Sequence, residues 1–127
     1  MTETDDLLAT TQEVLDHPSL WGASWARAVA FLARQALESA VSAVWVGPFA
    51  ALVDASFTDQ LIALGPALGD SDLAGQVRHT WHQLCAACHA HVYELAPTAQ
   101  ELRSLFDAVS EAIGKLAGCH PLSTPTS

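Results

Sequence analysis

Basic residues are scarce in this chain of 127 residues, which has five Lys and Arg against 14 Asp and Glu. The formal net charge is −9 with neutral histidines. Proteins that bind nucleic acid without sequence preference draw most of their affinity from basic side chains that neutralise phosphates. We therefore expect no binding to bare DNA. The charge favours a basic protein partner instead.

A long uninterrupted apolar run is also absent. The weakly polar stretch from Ala26 to Val53 is broken by charged residues and by Gly47 and Pro48, so it does not predict a membrane span. The chain starts with acidic residues, whereas a signal peptide starts with basic ones. We expect a cytoplasmic protein with no membrane partner. In that compartment, disulfides among its three cysteines are not expected.

Alternation of β-branched and polar residues, the pattern of a half-buried strand, is nearly absent as well. Half of the residues are apolar, which is enough to bury a core. Apolar residues, mostly Ala and Leu, recur at steps of three and four along several segments. The sequence therefore predicts an all-α protein, an antiparallel bundle of four to five helices.

Caps and helix breakers set the predicted boundaries. Gly47-Pro48 and Gly65-Pro66 are stop signals. The run Gly69-Asp70-Ser71-Asp72 predicts a turn and an N-cap, and Thr98 with Glu101 forms a capping box. The predicted helices span residues 5–16, 19 or 24 to 46, 49–64 with a break near 54–57, 72–95 and 98–117. Residues 1–19 are expected to form an N-terminal arm or short helix, 20–118 the bundle and 119–127 a disordered tail.

The segment from Asp72 to Leu95 carries the densest set of reactive side chains. At about 100° per residue, four of them fall within about 60° of the helix surface, beside the apolar face. They are Arg78, His82, Cys85 and His89, and Tyr93 lies near the edge of this stripe. The stripe is the predicted ligand or dimer surface.

Two cofactor sites are conceivable on this segment. His82, Cys85 and His89 are residue types that bind zinc, but one helix seldom supplies the four ligands of a structural site. A fourth ligand would have to come from Cys88, His91 or another chain. The string Cys85-Ala-Ala-Cys88-His89 matches the pattern of c-type haem attachment, but Ala-rich helices produce such strings by chance. We predict no cofactor, and a zinc-binding bundle is an alternative.

Nuclease chemistry is a further alternative. Arginine can hold a phosphate, and histidine can act as a general acid or base near neutral pH. Arg78, His82 and His89 are therefore candidate catalytic residues of a metal-independent endoribonuclease. A two-fold dimer would bring two such stripes into one cleft. The simpler interpretation is that these side chains are solvated residues beside the core.

Two other sets of residues have predicted structural roles. Arg34 and Glu38 stand four residues apart and are expected to form an ion pair on one helix face, although Arg34 could instead face a cleft. The four tryptophans are predicted core or interface residues. They are Trp21, Trp25, Trp45 and Trp81.

Two stretches taken together resemble HEPN-type (higher eukaryotes and prokaryotes nucleotide-binding) domains. The first reads Leu-Ala-Arg-Gln-Ala-Leu-Glu from Leu32 to Glu38. The second holds Ala-Ala-Cys-His up to His89, then a link from Tyr93 to Thr98 before the last helix. The resemblance covers residues 21–116. It implies a helical bundle that pairs as a homodimer.

The resemblance also implies two kinds of function. Many members of the family are RNases of toxin–antitoxin and other defence systems, in which an Arg and a following His face each other across the dimer cleft. Others are inactive and bind nucleotides or partner proteins. In this chain His89 matches the family's His, but Arg78 is followed by His82 after three intervening residues and by His89 after ten, and no Arg has the family spacing. We therefore predict a homodimer that binds a protein partner such as an antitoxin, or a nucleotide-like ligand. The alternative is an RNase that uses His89 with Arg78 or His82.

Overall fold

Helices account for all regular structure in the computed structural model, which describes residues 2–89 and 97–119. No strand occurs within these residues, so the all-α prediction is confirmed. The α-helices are α1 (Glu3–Asp16), α2 (Pro18–Trp21), α3 (Trp25–Ser42), α4 (Phe57–Leu68), α5 (Ser71–Cys88) and α6 (Ala99–Ala117). Two 3₁₀ segments, Gly22–Ser24 and Gly47–Asp54, connect α2 to α3 and α3 to α4.

Helix α3 lies at the centre of the bundle, where α1, α5 and α6 all pack against it, and α4 packs against α5. The larger core cluster includes Leu37, Leu64 and Leu84, each with no exposed surface. Burying one such side chain contributes about 2 kcal/mol. A smaller cluster joins α1, α3 and α6 through the buried residues Val14, Leu15, Val29, Leu102 and Phe106.

Two predicted N-caps are confirmed. The Thr98 hydroxyl accepts a hydrogen bond from the Glu101 amide at 3.1 Å and donates one to Glu101 Oε1 at 3.1 Å. The Asp70 carboxylate accepts from the Leu73 amide at 3.0 Å and starts α5. Each cap satisfies an amide of the first turn that has no partner within the helix.

The predicted end of α4 at Gly65-Pro66 is wrong, because the helix continues to Leu68 with Pro66 inside it. Proline lacks the N–H that would bond to the carbonyl of Ile62. Ile62 and Pro66 are both exposed, so water can solvate that carbonyl. The helix ends at Gly69, which adopts a left-handed φ of 66° and donates its amide to Gly65 O at 2.9 Å.

Helices α3 and α5 end earlier than predicted. Helix α3 stops at Ser42, four residues before Val46, because the chain turns so that Trp45 enters the core. Helix α5 ends at Cys88, not at Leu95, and the amide of the next residue, His89, is shared between Cys85 O and Ala86 O at 3.1 and 3.3 Å. The rest of the predicted helix, residues 90–95, lies outside the described part of the chain.

The tryptophans differ in their exposure. Trp45 is buried, Trp25 and Trp81 are half-buried, and Trp21 is exposed. The Trp25 indole donates to Val14 O at 2.7 Å and so fastens α1 to α3. Among the helices of residues 2–89 and 97–119, none has the length and apolarity needed to cross a membrane.

Candidate functional site

The predicted stripe on α5 lies mostly at the surface. Arg78, His82 and His89 are exposed, Cys85 is half-buried, and Tyr93 lies outside the described residues. Within residues 2–89 and 97–119, the side chains of Arg78, His82 and His89 make no hydrogen bond or ion pair. The His82 ring packs edge-on against Trp81 with ring centroids 5.2 Å apart.

The ends of the stripe do not converge within one protomer. Arg78 and His89 are 11 residues apart, which at 1.5 Å per residue corresponds to about 16 Å along the helix axis. Direct cooperation of these two side chains on one phosphate would therefore need a second copy of the chain. His82 lies one turn from Arg78 and faces solvent on the same side.

The structure adds Arg34 of α3 to this region. Its Nη1 donates to the sulfur of Cys85 at 3.9 Å, and its Nε lies 3.8 Å from Glu38 Oε1. The expected ion pair with Glu38 is confirmed, and it is partly buried, with 22% and 35% of the two side chains exposed. The guanidinium also lies over the ring of Phe31, 5.7 Å from its centroid.

Trp81 links the same group to α4. Its indole N–H donates to Glu38 Oε1 at 3.4 Å, and its ring packs against Phe57 with centroids 5.2 Å apart. We call the set Arg34, Glu38, Trp81, Cys85 and Cys88 the α3–α5 seam. It brings charged, aromatic and thiol groups from two helices together at the edge of the core.

Burial and charge act against each other in the seam. Burial lowers the pKa of Arg34, but its hydrogen bond to Cys85 and the nearby groups Cys88, Cys85 and Glu38 together raise it. Burial raises the pKa of the Cys88 thiol, and this outweighs the opposing effect of Arg34. The Nε atom of Arg34 is buried and has no hydrogen-bond acceptor among residues 2–89 and 97–119. Such an atom is costly, because it has lost water without gaining a partner.

Charge is distributed unevenly over the helices. Helix α1 carries five acidic residues and no Lys or Arg, whereas α5 has no acidic residue after Asp72 and α3 has only Glu38. The two basic residues of α6 are paired, Arg103 with Asp16 at 3.6 Å and Lys115 with Glu111 at 3.1 Å. The exposed side chains of α3 and α5 therefore form the least negative surface of the described chain. We call this surface the α3–α5 face.

A polar groove of about 590 Å³ runs between α1 and α3. Its lining includes the carboxylates of Glu3 and Glu38 and no basic side chain. Thr4 and Ser39, also in the lining, share a hydrogen bond of 2.8 Å between their hydroxyls. The groove could accept a cationic side chain from a partner.

Cofactor ligands are not gathered in the described part of the chain. Residues 2–89 and 97–119 hold no group of three or more His, Cys, Asp or Glu side chains that could bind a metal ion. The cysteines Cys85, Cys88 and Cys119 are free and half-buried. Cys85 and Cys88 lie in the seam with α3, whereas His89 is exposed.

Sequence patterns did not reveal the contact of Arg34 with Cys85, which lie 51 residues apart. A helical wheel shows which residues share a face, but not which helix that face meets. The only available signal was that Arg34 and Cys85 both border an apolar stripe.

Comparisons with protein-family models, with curated proteins and with solved structures find no match for this chain.

Proposed function

We propose that this protein acts by binding, as a homodimer that pairs through the α3–α5 face and presents its acidic surface to a basic protein partner. The observation that carries the proposal is the separation of charge between the α3–α5 face and α1. The resemblance to HEPN-type domains supports the same function, with an antitoxin as one kind of partner. Prokaryotic defence is the context that this resemblance implies.

Electrostatics favours this face for self-association. Two copies with a net charge of −9 each repel one another. At physiological salt the repulsion between exposed charges is screened beyond about 8 Å, so acids close to the contact matter most. A two-fold contact brings the same patch of each copy together. On the α3–α5 face that patch offers Phe31, Arg78, His82 and Ala86, and among the described residues the only unpaired acid of this face is Asp72 at the start of α5.

The surface of α1 has the opposite character and suits a basic partner. Glu3, Asp5 and Asp6 are exposed in its first turn. Glu3 also lines the groove between α1 and α3, where Glu38 supplies a second carboxylate. Lysine and arginine side chains of a partner would find complementary charge along this surface.

Charge insertion tests the pairing face. His82→Glu and Ala86→Glu place acids on the α3–α5 face, and Ala99→Glu adds the same charge at the exposed start of α6, where the helix dipole favours it. We expect a dimer for the wild type and for Ala99→Glu, and a monomer for the other two variants, by size-exclusion chromatography with light scattering. A wild-type monomer, or a dimer in all four proteins, would contradict the proposed pairing.

A second assay separates binding from catalysis. We expect a lysine-rich peptide to bind with an affinity that falls steeply with salt, and Glu3→Gln with Asp6→Asn to weaken it. Cleavage of RNA that His89→Ala abolishes without unfolding would support the endoribonuclease alternative instead. Loss of thermal stability on addition of a chelator would support the zinc-binding alternative, because a ligand bound only by the folded state raises its stability.

A further inference from the structure

An apolar groove of about 410 Å³ lies where the start of α1 meets the residues after α3 and the last turn of α6. Val44, Ile113 and Leu116 line it and are 6%, 7% and 3% exposed. Val46, also in the lining, is 55% exposed. Binding clefts for small ligands are mostly apolar and have volumes in this range. An apolar side chain from another molecule would therefore find contacts already in place.

The apolar groove adjoins the polar groove between α1 and α3. Thr2, Thr4 and Ala43 line both grooves, so the two meet where the start of α1 lies against the end of α3. A helix with its side chains is about 10 Å wide, and an extended chain spans that distance in about three residues. One short extended segment can therefore reach into both grooves.

The charged side chains in the two linings are all acidic. Glu3 and Glu38 line the polar groove and Asp5 lines the apolar groove, and neither lining includes a basic side chain among the described residues. Arg34 partly neutralises Glu38, so most of the negative charge comes from Glu3 and Asp5. A cation is therefore favoured beside the apolar groove.

Two helix ends add to this negative potential. Helices α3 and α6 end at the apolar groove, and the C-terminus of a helix carries a partial negative charge. The last turn of α3 has no basic residue. In the last turn of α6 the ammonium group of Lys115 is held by Glu111 at 3.1 Å and by Gln76 at 3.3 Å. The positive end of α1 acts in the opposite direction, but its first turn carries three acidic residues.

We propose that the basic partner lays one short segment across both grooves, with an apolar side chain in the apolar groove and a lysine or arginine in the polar groove. This inference rests on the proposed function and narrows it, because the partner must carry an apolar residue within about three residues of a basic one. Charge argues against this chain as the occupant. Residues 120–127 contain no Lys or Arg, and a second copy brings a net charge of −9.

Two peptides of equal charge test the apolar anchor. One has a leucine flanked on each side by a glycine and two lysines, and in the other a serine replaces the leucine. Fluorescence anisotropy of a terminal label measures their binding to the full chain at low salt. We expect the leucine peptide to bind at least about tenfold more tightly, because burial of a leucine side chain is worth that factor. Equal affinities would overturn this inference and leave the proposed function standing, whereas no binding of either peptide would overturn both.

A matched pair of valine variants locates the anchor. Val46→Ser removes the exposed apolar rim of the groove, and Val53→Ser makes the same change at a valine that is 47% exposed and lies outside both linings. We expect the preference for the leucine peptide to fall at least about threefold in Val46→Ser only. Circular dichroism checks that both variants fold. An equal preference in the two variants would overturn the proposal.

A second pair of variants tests where the basic side chain binds. Ala43→Arg places a cation where the two grooves meet, and Ala99→Arg adds the same charge at the exposed start of α6, outside both linings. We expect the affinity for both peptides to fall at least about threefold in Ala43→Arg only, because like charges repel at short range. Equal weakening in the two variants would show that net charge alone attracts the peptides, which would overturn the proposal. A change of oligomeric state in Val46→Ser, measured by light scattering, would assign the apolar groove to a second copy and overturn it as well.

Discussion

Replacing Gln60 by leucine tests whether one buried amide fastens the 3₁₀ segment Gly47–Asp54 to the bundle. Only 4% of Gln60 is exposed. Its Oε1 accepts from the Trp45 indole at 2.9 Å. Its Nε2 donates to Val53 O at 3.3 Å and to Ala55 O at 3.1 Å. One side chain thus joins the turn after α3, the 3₁₀ segment and α4.

The magnitude follows from these three bonds. Leucine leaves the buried indole N–H of Trp45 without an acceptor, at a cost of about 1–3 kcal/mol. Val53 and Ala55 each lose one hydrogen bond worth about 1 kcal/mol, part of which water recovers. We expect a loss of about 3 kcal/mol in the free energy of unfolding. In a chain of this size, that lowers the melting temperature by about 10 °C.

Urea unfolding followed by far-ultraviolet circular dichroism measures the loss. The control is Gln12→Leu, the same change in an exposed glutamine of α1, and we expect it to stay within about 0.5 kcal/mol of wild type. Trp45→Phe removes the indole N–H that Gln60→Leu leaves without an acceptor. The double variant should therefore lose less free energy of unfolding than the sum of the losses in the two single variants. A loss below about 1 kcal/mol for Gln60→Leu, or additive single variants, would refute the reasoning.

Three further predictions concern caps and titration. Thr98→Ala should cost about 1 kcal/mol of stability in urea unfolding, whereas Thr98→Ser should cost little, because only serine keeps the capping hydroxyl. Hydrogen bonds from the Thr2 backbone and side chain lower the pKa of Asp5 from 3.8, so Asp5→Asn should be less stable than wild type near neutral pH. This difference should vanish as the pH falls below 3.8 through the folded-state pKa. The rate at which iodoacetamide alkylates Cys88 should rise only above the usual thiol range, because burial raises its pKa, and a midpoint at or below 9.0 would contradict this.

Local signals predicted the starts of α5 and α6 to within one residue. A cap such as that of Thr98 or Asp70 needs only residues within three positions, so the sequence contains the whole interaction. Helix ends were harder to predict. Pro66 is a breaker in isolation, but it lies on the exposed side of α4, and Gly69 offers a left-handed stop three residues later. Helix α3 ends at Ser42, and the chain then turns so that the Trp45 indole donates to Gln60 Oε1. Local sequence patterns cannot reveal such a tertiary contact.

The candidate site was predictable only in part. Helical spacing placed Arg78, His82 and His89 together on the surface of α5, where they are exposed. It could not predict that Arg34 reaches Cys85, because that contact depends on which helices become neighbours. Gln60 was missed for a related reason. The sequence alone does not show that a polar residue in an apolar segment will be buried with hydrogen-bond partners for its side-chain amide.

The smaller core cluster has a consequence for folding during synthesis. It joins Val14 and Leu15 of α1 to Val29 of α3 and to Leu102 and Phe106 of α6. Its partners thus come from both ends of the described chain. While α6 is still inside the ribosome, α1 and α3 have emerged with their side of this cluster uncovered. A nascent chain stalled before residue 102 should therefore bind a chaperone that recognises apolar segments, and release should coincide with the emergence of α6.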